Sequence, residues 1–115
     1  MEMIKDQIRL EELKAMAGQI FEDMVKGVVD VSTEVLAVNA ELHADLEQML
    51  LSHGSRQSDL WGINLYPEFY GRDEFLEFDS MINLKPSQNN RSRGVDDAKL
   101  RALIAEIVKK RVVSE

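Results

Sequence analysis

The feature that most constrains this chain is a period-two pattern between Leu60 and Arg93. Side chains alternate across an extended strand, so Trp61, Ile63 and Leu65 fall on one side while Asn64 and Tyr66 fall on the other. Further along, Leu76, Phe78, Ile82 and Leu84 share a side, and Glu77, Asp79 and Asn83 share the opposite one. Pro67 ends the first run and Pro86 the second, because proline cannot donate to a sheet ladder. The spacing predicts strands over about 60–66 and 74–84, joined by a long connection that contains Gly71. One oily and one polar face on a hairpin is the mark of an antiparallel sheet packed on one side.

The remaining segments fit around such a sheet. Leu13, Met16, Ala17, Ile20 and Met24 recur at helical spacing, predicting a helix over 10–23 with Glu11 and Glu12 in its first turn. The β-branched run 25–31 and the run 35–38 flank a tight connection at Ser32, Thr33 and Glu34, which makes them the first hairpin in chain order and 60–84 the second. Asn39 is a suitable N-cap and Gly54 a suitable left-handed stop for a helix over 39–53, whose buried stripe is Leu42, Leu46, Met49 and Leu50. A third helix runs from Asp96 or Asp97 to about Val112. The element order is α-β-β-α-β-β-α. The simplest packing is a single α+β domain over 1–115, with a four-stranded antiparallel sheet and three helices on one of its faces.

Composition removes several classes of function. The net charge is −7, so nucleic acid is not an expected partner. There is no cysteine, hence neither disulfides nor thiolate chemistry. No apolar run has the length of a membrane span, and MEMIKDQIRLEELK lacks the apolar core of a secretory signal, so a soluble cytoplasmic protein is expected. Two histidines without cysteine argue against a metal centre, and no cofactor is implied. The basic run Lys109, Lys110, Arg111 falls in a last helical turn, where cations complement the helix dipole.

Three groups of residues invite chemistry. In the segment Glu41 to Asp45, His43 is a candidate proton carrier. It lies about 160° round the helix from Asp45, so the two cannot share an ion. His53 falls near the end of that helix, where a capping role is expected. On the polar strand face, Asn64, Tyr66, Glu77, Asp79 and Asn83 point together. Glu77 and Asp79 are about 7 Å apart along one strand, a pairing that can act as acid and base or hold a divalent cation. A solvated outer face would look the same. The loop from Lys85 to Gly94 is dense in donors, with Asn90, Arg91 and Ser92 suited to an anion. It is no phosphate-binding P-loop, since that glycine–lysine pattern is absent. Phe69 and Tyr70 sit in a loop, free to cover a sheet edge or meet a partner.

The runs VVDV, ELHADLE, GSRQSDLWGINLYP and EFDSMINLKPSQNNRSRGV resemble a family of small bacterial and archaeal proteins known only as a domain of unknown function. The resemblance extends from about Ile8 to Val108. It implies no activity. It does imply that Glu41, His43, Asp45, Gln57, Asp59, Trp61, Asn64, Tyr66, Asp79, Asn83, Pro86, Asn90, Arg91 and Ser92 fall within the family's motif blocks. Arg9 departs from it, standing where a helix-capping serine is expected.

Three functions fit these residues. The first is a binding domain for an anionic small molecule, nucleotide-like or carboxylate-bearing, held by Arg91 and Ser92 with Asn64, Tyr66, Asn83 and Asn90 orienting the rest. The second is a non-catalytic interaction module or homo-oligomer, pairing through an edge strand or the Phe69–Tyr70 loop. The third is a small hydrolase with Asp79 or Glu77 as general base or cation ligand, His43 as proton shuttle and Arg91 as transition-state clamp.

Overall fold

The computed structural model describes all residues, 1–115. Five antiparallel strands form the main sheet in the order β1 (Glu2–Ile4), β4 (Val35–Val38), β3 (Val25–Asp30), β5 (Leu60–Leu65) and β6 (Leu76–Glu77). Two further strands, β2 (Ile8–Arg9) and β7 (Val112–Val113), pair in parallel and tie the two ends of the chain together. The helices are α1 (Leu10–Ile20), α2 (His43–Ser52) and α3 (Ala98–Arg111). The chain is thus one α+β domain with three helices, and none of them is long and apolar enough to cross a membrane.

Three expectations change. The sheet has five strands rather than four, because Glu2–Ile4 pairs with Leu36–Val38. The last long strand shrinks from 74–84 to Leu76–Glu77, and Met81–Asn83 winds into a 3-10 turn. There the Ser80 hydroxyl accepts from the Ile82 amide at 3.2 Å, offering the backbone an alternative to a ladder bond. Finally, the helices do not share one face. Leu13, Met16, Ala17, Ile104, Ile107 and Val108 of α1 and α3 pack on Val25, Val29, Trp61, Ile63 and Leu65. Leu46 and Leu50 of α2 pack on the other face, against Val28, Ala37 and Leu60. The side of the second hairpin that carries Asn64 is therefore roofed by a helix rather than open to water.

The boundaries of α2 decide which groups it can present to that face. Asn39 does not cap it. This residue turns into the left-handed region at φ 76°, and the helix begins four positions later, after an extended Leu42. Its end is as the sequence suggests. Gly54 sits at φ 98°, its amide bonds Leu51 O at 3.1 Å, and the Ser55 amide bonds Leu50 O at 3.0 Å, a Schellman stop. His53 closes the same end by donating from Nδ1 to Met49 O at 2.8 Å. Helix α1 stops at Ile20, short of Asp23. Arg9 precedes α1 in extended conformation, and its amide reaches Glu12 Oε1 at 3.4 Å. Asp97 caps α3 by accepting from the Lys99 amide at 2.9 Å. At the far end of α3, Lys110 pairs with Glu34 and Arg111 donates to Glu34 O at 2.8 Å, so that basic turn clips the first hairpin.

Candidate functional site

Strand register assembles the floor of the site. Lys26 on β3 stands opposite Asn64 on β5, and Asn64 stands opposite Glu77 on β6. A cation, an amide and an anion thus form a row across three neighbouring strands, on the face that α2 covers. Neighbouring strands are about 4.8 Å apart, so the backbones carrying the two charges are about 10 Å apart. The start of α2 overhangs this row. Together they enclose a cleft of about 460 Å³ lined also by Tyr66, Asp79, Met81 and Arg93.

The bonding of this cleft is uneven. Asn64 Nδ2 donates to Glu77 Oε1 at 2.9 Å and to Asp79 O at 3.2 Å, and the Tyr66 hydroxyl donates to the same Glu77 oxygen at 2.9 Å. Burial, the bond to Glu77 and nearby carboxylates push the pKa of the Tyr66 hydroxyl up to about 12, so it remains a donor at neutral pH. Asp79 is paired with Arg93 Nε at 2.7 Å. Asn64 itself is only 5 % exposed, yet its Oδ1 is buried with no donor. Buried polar atoms without a partner are rare, and the residue that carries this one lines the cleft. Lys26 pairs with no carboxylate and rests its ammonium 5.1 Å from the Phe21 ring centre.

His43 is the first residue of α2 and is nearly buried. Its Nε2 donates to Ile63 O at 2.8 Å. That bond fixes the tautomer and leaves Nδ1 as an acceptor without a protein partner. Burial, and then the Lys26 charge, hold the imidazole below its usual range, against the bond to Ile63, the side-chain contact with Asn64 and the pull of the Asp79 charge. The ring is therefore neutral at pH 7. Because its folded pKa is depressed, the unfolded chain binds the extra proton first. Stability from this group is complete above the unfolded value near 6.5 and is lost as pH falls through the folded value. Urea unfolding of wild type and His43→Gln at pH 7.5 and 5.5 isolates this effect. The advantage of wild type over the variant should shrink at the lower pH, and a pH-independent difference would contradict a buried neutral ring.

The helix start contributes as well. No side chain caps α2. The first amides of a helix have no intrahelical acceptor, and the helix dipole adds positive potential there. Leu42, His43 and Ala44 all line the cleft, so this uncapped end opens into it.

The sequence-derived candidates divide. Asn64, Tyr66, Glu77, Asp79 and His43 come together in the cleft. Asn83, Asn90, Arg91 and Ser92 lie outside it. Asn83 is fully buried, its Oδ1 accepting from the Gly62 amide at 2.7 Å and its Nδ2 donating to Gly62 O at 3.0 Å and Arg93 O at 2.8 Å. Asn90 Nδ2 is spent on Asn83 O at 2.7 Å and Gly94 O at 2.8 Å. The place an anion would take between the Arg91 amide and the Ser92 hydroxyl is filled by the Asp96 carboxylate, at 3.1 and 2.5 Å. Arg91 is exposed and its guanidinium bonds nothing in the protein. Lys85, from the same loop, is internal. It donates to Gln57 O at 2.9 Å and lies 5.3 Å from the Trp61 ring centre. The cleft residues that sequence reasoning missed are Lys26 and Arg93. Lys26 was legible as a cation within a valine-rich strand; nothing in the sequence distinguishes Arg93 from Arg91.

Searches of the curated proteins and of the solved structures each return no match. A family model described as a protein of unknown function (DUF5674) matches residues 2–111. With nearly its whole length covered, the chain belongs to the DUF5674 family.

Proposed function

We propose that this protein is a binding domain for a small anionic molecule, and that the ligand sits in the cleft beneath the start of α2. The observation that carries the reading is the uncapped α2 N-terminus opening over Lys26. On a chain of net charge −7, that corner gathers a helix dipole, free backbone amides and an unpaired ammonium. Arg93 adds a second cation on the cleft wall, although Asp79 offsets its charge. The cleft's size is that of a metabolite pocket. A carboxylate or phosphate at the helix start would take the amides that no side chain claims. The Arg91–Ser92 loop has no part in this reading, since it lies outside the cleft and Asp96 already takes the Arg91 amide and the Ser92 hydroxyl.

A thermal-shift screen with inorganic phosphate, acetate, short mono- and dicarboxylates and nucleotides tests the proposal. At least one anion should raise the melting temperature of the native chain, and Lys26→Met, which keeps the apolar stem, should abolish most of that shift. An empty screen, or a hit of equal size in the variant, would overturn it.

A second reading is favoured by the free Nδ1 of His43. A neutral imidazole held by a carbonyl at its other nitrogen is an oriented base. On this reading the protein would be a small hydrolase with Asp79 nearby in the cleft and Arg93, rather than Arg91, beside it. Turnover of a bound probe, absent in His43→Gln, would distinguish it from simple binding.

A further inference from the structure

We infer that the ligand of this cleft is a zwitterion, an amino-acid-like molecule whose amine rests on Asn64 and Glu77 while its anionic end meets Lys26 and the start of α2. The inference rests on the binding reading of the cleft and names the class of molecule bound.

Apart from the Lys26 ammonium, the unfilled groups around the cleft floor are acceptors. Asn64 Oδ1 is buried and takes no donor. Glu77 receives both of its bonds at Oε1, which leaves Oε2 open. His43 donates through Nε2, which leaves Nδ1 open. A simple carboxylate has no donor to offer such groups, and any small anion would be repelled by Glu77. A protonated primary amine has three donors and no acceptor, and it carries the charge that Glu77 lacks a partner for. Glu77 is in no ion pair, and neither is Lys26 at the other end of the row.

The order of the row then sets the ligand's polarity. Lys26, Asn64 and Glu77 are successive partners across β3, β5 and β6, so positive and negative ends are held at a fixed separation by sheet register rather than by flexible loops. Tyr66 and Asn64 both hold the Glu77 carboxylate in place. A molecule with its amine and its anion separated by a few methylenes lies along this row with each pole against its opposite.

Isothermal titration with matched probes tests this. γ-Aminobutyrate and ε-aminocaproate are compared with butyrate and caproate, which present the same carboxylate without the amine. At least one aminated probe should bind the wild-type chain about tenfold to a hundredfold more tightly than its counterpart. Glu77→Gln keeps an acceptor for Asn64 and Tyr66 but removes the charge. It should bring the aminated probe down to the affinity of the plain carboxylate, leaving the latter unchanged or improved. Circular dichroism and urea unfolding establish that the variant is folded. Equal binding of aminated and plain probes to wild type, with both dependent on Lys26, would overturn the zwitterion and leave the anion site standing. Binding of neither, alongside an empty anion screen, would remove both.

Discussion

Replacing Asn83 with alanine is expected to lower the unfolding free energy by about 4 kcal/mol, a large share of what a domain of this size possesses. The reason lies at the end of a strand. Strand β6 pairs with β5 only at Leu65 and Asn64, so the outer edge of β5 is left without a partner strand at Gly62. Asn83 supplies the partner. Its side-chain amide presents an acceptor to the Gly62 amide and a donor to Gly62 O, as a backbone peptide on a neighbouring strand would. A third bond, to Arg93 O, ties the loop to the same point. Alanine leaves these buried groups unpaired, each costing about 1–3 kcal/mol, and opens a void where no water reaches easily. Aspartate should do no better, since it keeps the acceptor, loses the donors and buries a charge. Arg91→Ala is the control. It removes an exposed side chain that bonds nothing and should change stability by less than about 0.5 kcal/mol. Equilibrium urea denaturation reads all three. A loss below about 1 kcal/mol for Asn83→Ala would mean that the amide does not stand in for a strand.

Asn83 also shows where the sequence stopped being legible. Its place in the alternation of 74–84 suggested a polar residue on an open sheet face. Two patterns were superposed there. Leu76 and Glu77 are true strand, but Ser80 and Asn83 bond backbone from their side chains, and such residues draw a chain out of a ladder. Alternation alone cannot distinguish a polar residue facing water from one feeding backbone groups. The same holds for Asn90 and Ser92, whose donors satisfy their own loop. What survived is the part set by simple periodicity. The bounds of β4, the stop at Gly54 and the split of Trp61, Ile63 and Leu65 from Asn64 all come from local rules. The covering of both sheet faces had a signal as well, in the nearly unbroken apolar runs VVDV and VLAV, which mark strands buried on both sides. Strand β1 had none. Three residues beside a Lys–Asp pair carry no period, and only pairing with β4 makes them a strand. The meeting of His43 with Asp79 depends on which face α2 takes, and no pattern within α2 itself encodes that.

Gly62→Ala is expected to cost about 3 kcal/mol through overpacking rather than through any need for unusual backbone angles. A Cβ at this position would lie 2.4 Å from Ser80 Cβ and 2.5 Å from Ser80 Oγ. Neither side can yield. Gly62 is locked between Val28 of β3 and the Asn83 amide. Ser80 is buried, its amide bonds Arg93 O at 2.9 Å, and its hydroxyl holds the turn that starts at Met81. Relief therefore means moving β5 away from Asn83, which strains the bonds whose loss the first substitution measures. The cleft should feel this too, because Asn64 is two residues along the same strand and Met81 and Arg93 belong to its wall. Gly18→Ala provides the contrast. No atom lies within 4 Å of a Cβ there, and the site is on the exposed side of α1, so that change should stabilise by about 0.5–1 kcal/mol. Pairing Gly62→Ala with Ser80→Gly then separates the clash from other causes. The double variant should be more stable than the sum of the two single losses by at least about 1 kcal/mol, since the atoms in collision are gone. Additivity within about 0.5 kcal/mol would show that the two residues do not press on each other, and that the strand and turn are held apart by something other than the missing side chain.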